Sequence, residues 1–250
     1  MPPILDLRQS AAFVLGHAPE SVNIPLTQLA SRMYELPEKG ATLALFHDDP
    51  QQLARAMELL SNRGYQVSAI TAPALTETGG SPQRLWHAAP ILDEALAITS
   101  RPGRALDIAC GSGREAVHLA TLGWQVDAVD ILPDALQNAS ALALHNGVTI
   151  NTIQHDLRQN DLLTAGQYDL IIMLRYWNAP LMARLSGALA SGGVLVVESF
   201  HPDDPHSRPG GHTVSTEGLA QEAGALKVKL LRVCPRNGRV FSQLIAVKEG

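Results

Sequence analysis

At 250 residues with 46% hydrophobic side chains, the chain can build one large or two small domains around a real core. A net charge of −5 without a lysine/arginine run argues against a nucleic-acid-binding face, which needs dense positive charge. No apolar run reaches membrane-spanning length, and the start MPPILDLRQS lacks the basic-then-apolar pattern of a signal peptide. The cysteines, Cys110 and Cys234, form neither a disulfide framework nor a metal-binding spacing, so a reducing, cytoplasmic setting is expected.

The chain opens on ILDLR, within residues 3–8, which reads as a short strand. ATLALF (41–46) is an apolar run of strand length. The amphipathic stretch QQLARAMELLSNRG follows as a helix, and QVSAI (66–70) as a further buried strand. Strands separated by helices predict a small α/β unit with a parallel sheet, ending near Thr71. APALTETGGSPQ (72–83) has the Pro/Gly/Thr/Ser composition of a linker. RLWHAAPILDEALAITS (84–100) reads as a helix leading into RALDIACGSGREAVHLATLGW (104–124), a strand, a glycine loop and a helix.

Regular alternation follows. QVDAVDI (125–131) is a strand and PDALQNASALALHN a helix; TINTIQHD and YDLIIML (168–174) are strands. APLMARLSGALA reads as a helix closed by SGG, and VLVVESF as the fifth strand. Five strands alternating with helices predict a doubly wound, Rossmann-like sheet. KVKLLRVCPRNGRVFSQLIAVK then reads as two strands joined at Asn237-Gly238, a tight-hairpin signal, which adds an antiparallel end to make seven strands.

Gly111 and Gly113 let the backbone approach a ligand, and the helix after them points its amides at it. Asp130, at the tip of the second strand of this sheet, can accept both ribose hydroxyls of an adenosine, a device that nicotinamide enzymes share. Asp107 decides between the two. A pyrophosphate beside it would meet negative charge, whereas the ammonium and sulfonium of S-adenosylmethionine would be favoured. The terminal hairpin also replaces the second half that a nicotinamide-binding domain would carry. Cys110 reads as a small packed residue rather than a nucleophile.

LDIACGSGREAVHLATLGWQVDAVDILPDAL resembles the first two motifs of class I S-adenosylmethionine-dependent methyltransferases, nearest to the tellurite-resistance-type small-molecule branch. The likeness continues through LW (85–86), HDL (155–157), YDLII (168–172) and SGGVLVVESF (191–200), covering about residues 84–250. It implies that Asp107, Gly111 and Gly113 hold the methionine end, with Leu174 by the ammonium. Asp130 and Ile131 would hold ribose and adenine, Asp156 and Leu157 would meet the adenine edge, and Trp86 would join this cofactor set. The implied activity is methyl transfer to a small-molecule acceptor such as a thiol or metalloid oxyanion. A sensor that binds S-adenosylmethionine without turnover, and a nicotinamide oxidoreductase, are the rival readings.

MLRYWNAP (173–180) follows the fourth strand, where an acceptor would lie, and it lacks the Asn/Asp-Pro-Pro-aromatic signature of enzymes that methylate base amino groups. Arg175 could hold an anionic acceptor, and Tyr176 with Trp177 could wall the pocket or simply pack. FHPDDPHSRPGGH (200–212) holds three histidines and two aspartates in a spacing that matches no metal motif, so a solvated loop is expected. His201, directly after the fifth strand, could still face the pocket as a catalytic residue.

The first 71 residues, through LDLR, GHAPESVNIPL, ELP and LALFHDDPQQLARAMELLSNRGYQV, resemble a rhodanese-type sulfurtransferase domain. His47 stands where that family carries its persulfide cysteine, and Pro50 and Gln52 replace the loop's glycine and arginine. A persulfide carrier needs a thiolate, so this module is expected to be inactive and to dock a protein partner or to stabilise the chain.

Overall fold

The computed structural model describes residues 2–71, 74–75, 84–99, 101–159, 163–208 and 211–249, and the chain divides into two units, Met1–His87 and Ala88–Gly250. Most of the linker expected at 72–83 lies outside the described residues.

The first unit runs β1 (Ile4–Asp6), α1 (Ser10–Leu15), β2 (Val22–Asn23), α2 (Leu26–Leu29), β3 (Thr42–Phe46), α3 (Pro50–Ser61) and β4 (Gln66–Ala69). Its strands form a parallel sheet in the order β2-β1-β3-β4. Leu5, Leu7, Leu43 and Leu45 from the sheet meet Leu53, Ala56 and Leu60 from α3 in one core. The short β2 is missed by sequence periodicity because it is two residues long. It is latched by Asn23, whose amide donates to the carbonyls of Asp6 and Arg8 at 3.0 and 2.9 Å.

The second unit continues with α4 (Ile91–Leu96), β5 (Arg104–Ile108), α5 (Arg114–Thr121), β6 (Gln125–Asp130), α6 (Pro133–His145), β7 (Asn151–Gln154), β8 (Tyr168–Leu174), α7 (Ala179–Ala188), β9 (Leu189–Phe200), α8 (Thr216–Glu222), β10 (Lys227–Arg236) and β11 (Arg239–Val247). The sheet order is β10-β11-β9-β8-β5-β6-β7, with β5 to β9 parallel and the last two strands antiparallel. After β5 the chain winds to one side through β6 and β7, then returns to the other side of β5 as β8. That reversal opens a crevice at the carboxyl ends of β5 and β8, where α/β sheets bind ligands. Leu106, Ile171, Met173, Leu195 and Val197 line one face of the sheet. Ala105, Leu170, Ile172, Val194 and Val196 line the other.

Several boundaries differ from the sequence reading. The helix expected over 84–100 is confined to Ile91–Leu96, because Pro90 disfavours helical geometry in the residue before it. The expected helix over 179–190 ends at Ala188, and Leu189 already pairs with Tyr168. The register then jumps so that Leu170 faces Val194, which absorbs the SGG segment as an irregularity inside β9. Helix α8, absent from the sequence reading, starts at Ser215, whose hydroxyl accepts the Gly218 N–H at 3.1 Å, and it buries Leu219 in the core. At the hairpin, Asn237 and Gly238 both adopt positive φ (51° and 73°), the geometry of a type I′ turn. No helix among the described residues is long and apolar enough to cross a membrane.

Candidate functional site

The turn from β5 into α5 is built from left-handed residues: Ala109 (φ 54°), Gly111 (φ 54°) and Gly113 (φ 75°). The two glycines serve different ends. A Cβ on Gly111 would meet nothing within 4 Å, so its open face can take a ligand against the backbone. A Cβ on Gly113 would stand 2.6 Å from the Cβ of Ala139, so that glycine lets α5 pack on α6. Ala109 carries a methyl group in a conformation that costs about 1–2 kcal/mol for an L-residue. Its strain was not legible in the sequence.

Asp130 pins this turn. Its Oδ2 accepts the Gly111 N–H and its Oδ1 the Leu132 N–H, each at 2.9 Å. The Cys110 N–H adds a bond to the Val129 carbonyl at 2.9 Å. Each carboxylate oxygen keeps a further lone pair for a ligand hydroxyl. Ile131, next along, is 49% exposed, an apolar surface at the strand tip.

Beneath the turn lie buried acids. Asp107 accepts the Ala116 N–H at 3.1 Å. Burial, then the nearby charge of Glu115, holds the Asp107 carboxyl well above the usual carboxylate range, against the opposing pull of Arg175. Glu115 is buried too and pairs with Arg175 Nη2 at 3.1 Å. A bound cation would draw Asp107 back toward its charged form beside Asp130, so the floor of the turn suits a cation better than a pyrophosphate.

A cleft of about 320 Å³ opens over this floor, walled by Cys110, Gly111, Glu115, Leu174, Arg175 and Tyr176, with His212 at its edge. Arg175 is held at φ 60°, its N–H bonded to the Glu198 carbonyl at 2.6 Å. Burial, followed by the charges of Asp107 and Asp130, pushes the Cys110 thiol far up, so it is no thiolate nucleophile. The rings of Tyr176 and His212 pack at a tilt of 43° with centroids 4.7 Å apart.

Other residues singled out in the sequence lie elsewhere. His201 is absent from the cleft wall; its Nδ1 accepts the Asp203 N–H at 3.1 Å. Asp156 forms a fork with Arg158, which draws its carboxyl down to about 2, and Leu157 is buried in the core. Trp86 falls within the first unit and is buried, with the Arg84 guanidinium 4.6 Å from its ring centre. In the histidine-rich loop, Asp204 is buried against Arg239 at 2.9 Å. The residue missed from the sequence is His212; nothing short of the loop's return path marks it.

A methyltransferase-domain family model matches residues 105–193. A protein-L-isoaspartate O-methyltransferase of Xanthomonas euvesicatoria pv. vesicatoria (strain 85-10) is 31% identical over 185 residues, covering 71% of this chain and 78% of that protein. Among solved structures, TehB from Haemophilus influenzae shares the fold with a TM-score of 0.57 at 18% identity, over 65% of this chain and 63% of that one. The Burkholderia thailandensis 1,6-didemethyltoxoflavin-N1-methyltransferase, solved with S-adenosylhomocysteine bound, aligns with a TM-score of 0.50 at 21% identity, over 64% of this chain and 76% of that one.

Proposed function

Because the chain belongs to the class I S-adenosylmethionine-dependent methyltransferases, we propose that its cleft brings a small nucleophile to the methyl donor and holds it there in line. The donor is S-adenosylmethionine. When bound, it supplies a methyl group on a sulfonium that is already an excellent leaving group. The residues present fit it. The open face of Gly111 is a cradle that a side chain would fill, and buried Asp107 and Glu115 suit its cationic end. Asp130 and exposed Ile131 would take ribose and adenine, and the resemblance puts Asp156 and Leu157 at the adenine edge; Trp86, buried within the first unit, fits the cofactor set poorly. Leu174 would flank the ammonium. Gly113 would act through packing rather than contact.

Arg175 would hold an anionic acceptor and Tyr176 would wall it in; both line the cleft. His201, away from the cleft wall, fits the acceptor site poorly. The observation that carries this reading is the open glycine above buried acids, a combination that suits a cation better than a pyrophosphate. A screen of thiol, metalloid, amine and hydroxyl acceptors, read by S-adenosylhomocysteine release, tests it. Release with at least one acceptor is expected. Tight binding of the donor without release for any of them would mark a sensor instead.

For the first unit the reading is an inactive rhodanese-like module that docks a partner or stabilises the chain. Supporting it, His47 follows β3, and Asp49 caps α3 by accepting the N–H groups of Gln51 and Gln52. The amides that would cradle a persulfide are thereby taken by a carboxylate.

A further inference from the structure

We infer that His212 is the base that receives the acceptor's proton, an assignment that rests on the methyl-transfer reading of the cleft. Three observations converge on this residue. It stands on the cleft edge beside Arg175 and Tyr176. Its loop segment is fixed from two strands. Ser199 on β9 donates its hydroxyl to the His212 carbonyl at 2.7 Å, and Ser242 on β11 donates to the Val214 carbonyl at 2.6 Å. Both serines are fully buried, and the Val214 N–H adds a bond to the Phe200 carbonyl at 3.0 Å. Two buried hydroxyls thus anchor a short piece of loop to rigid strands, as a side chain needing precise placement requires.

The ring itself is oriented by Trp177. Nδ1 lies 3.0 Å from the Trp177 carbonyl and 3.2 Å from the Trp177 N–H. These contacts demand opposite tautomers. The inferred base takes the carbonyl contact, with a proton on Nδ1 given to Trp177, which leaves Nε2 with a lone pair. The same carbonyl keeps its bond when the ring becomes an imidazolium, so proton uptake needs no rearrangement.

As the acceptor's lone pair forms its bond to the methyl carbon, the C–S bonding pair stays on sulfur, leaving a thioether. The acceptor's own proton passes to Nε2, its bonding pair staying on the acceptor atom. The imidazolium then returns that proton to solvent. The charged and titratable groups sharing the cleft with the ring are Arg114, Glu115, Arg175, Tyr176 and Cys110. The acceptor class implied is one that still carries its proton at neutral pH and has a lone pair to attack with: a hydroxyl or an aliphatic thiol.

The test uses the full chain with His212→Asn, which keeps a donor near the Nδ1 position, and His212→Gln as a second variant. Catechol, 2-mercaptoethanol and thiophenol are the acceptor probes. Nitrogen-15 NMR of the unliganded protein should show the Nδ1-protonated tautomer. Turnover of catechol or 2-mercaptoethanol should fall by about 10²–10⁴-fold in both variants, with loss of the acidic limb of kcat/KM. Thiophenol, largely ionised at neutral pH, should lose far less, and the Kd for S-adenosylhomocysteine should not move. An Nε2-protonated tautomer, or variants as active as the wild type on catechol and 2-mercaptoethanol, would overturn the assignment while leaving the methyl-transfer reading intact. Wild-type protein that binds S-adenosylhomocysteine but methylates none of the probes would count against that reading and against His212 with it.

Discussion

Replacing Gly111 and Gly113 separately by alanine should split binding from stability. At Gly113 the new Cβ would sit 2.6 Å from Ala139 Cβ and 3.1 Å from its Cα, on backbone at φ 75°. The left-handed conformation costs about 1–2 kcal/mol. Overpacking α5 against α6 adds about 1–3 kcal/mol, for a total of roughly 2–5 kcal/mol. At Gly111 the conformational cost is similar, but no neighbour lies within 4 Å, so the loss should stop at about 1–2 kcal/mol. The methyl group there would instead occupy the face left open to the donor. Urea unfolding followed by tryptophan fluorescence, together with calorimetric titration of S-adenosylhomocysteine, reads both quantities. Gly113→Ala should be the less stable protein, and Gly111→Ala the weaker binder. Equal stability losses, or a Gly111→Ala variant with wild-type affinity, would refute the division of labour between the glycines.

Asp130→Ala should abolish the thermal shift produced by S-adenosylhomocysteine, and should also cost about 1–3 kcal/mol of stability because the Gly111 and Leu132 N–H groups lose their acceptor. A variant with a full shift would remove Asp130 from the site. Asp107 binds its proton more tightly folded than unfolded, so from about pH 4 upward through its raised folded value its contribution to stability falls as pH rises. Asp107→Asn should therefore gain on the wild type as pH rises above about 4 in urea unfolding, and a pH-independent difference would contradict that cause. Arg175→Met should raise the acceptor's KM and leave the affinity for S-adenosylhomocysteine nearly unchanged; loss of that affinity would place Arg175 in the donor site. The intact chain should show no thiosulfate:cyanide sulfurtransferase activity, and His47→Cys should restore little, since Asp49 still occupies the α3 amides.

The parts of the fold that rest on local signals are legible in the sequence. DIACGSG reads as strand, turn and helix because a β-type apolar run meets glycines and then an amphipathic stretch. Asn237-Gly238 reads as a hairpin because few other pairs accept two positive φ values. What stays hidden depends on neighbours distant in the chain. Gly111 and Gly113 look alike until Ala139 is placed against one of them. His201 draws attention because it follows a strand, yet its ring turns back onto Asp203. His212 sits on a loop segment held by Ser199 at its own carbonyl and by Ser242 at that of Val214, which no spacing announces. Pro90, by contrast, was a readable signal; the apolar pattern of 84–100 hides it by continuing through the break.

A crystal structure of the intact protein with S-adenosylhomocysteine should show the amino-acid end of the ligand against Gly111 above Asp107, with the ribose hydroxyls on Asp130. Ligand bound elsewhere, or an Asp130 carboxylate that still bonds only the Gly111 and Leu132 amides, would contradict that placement.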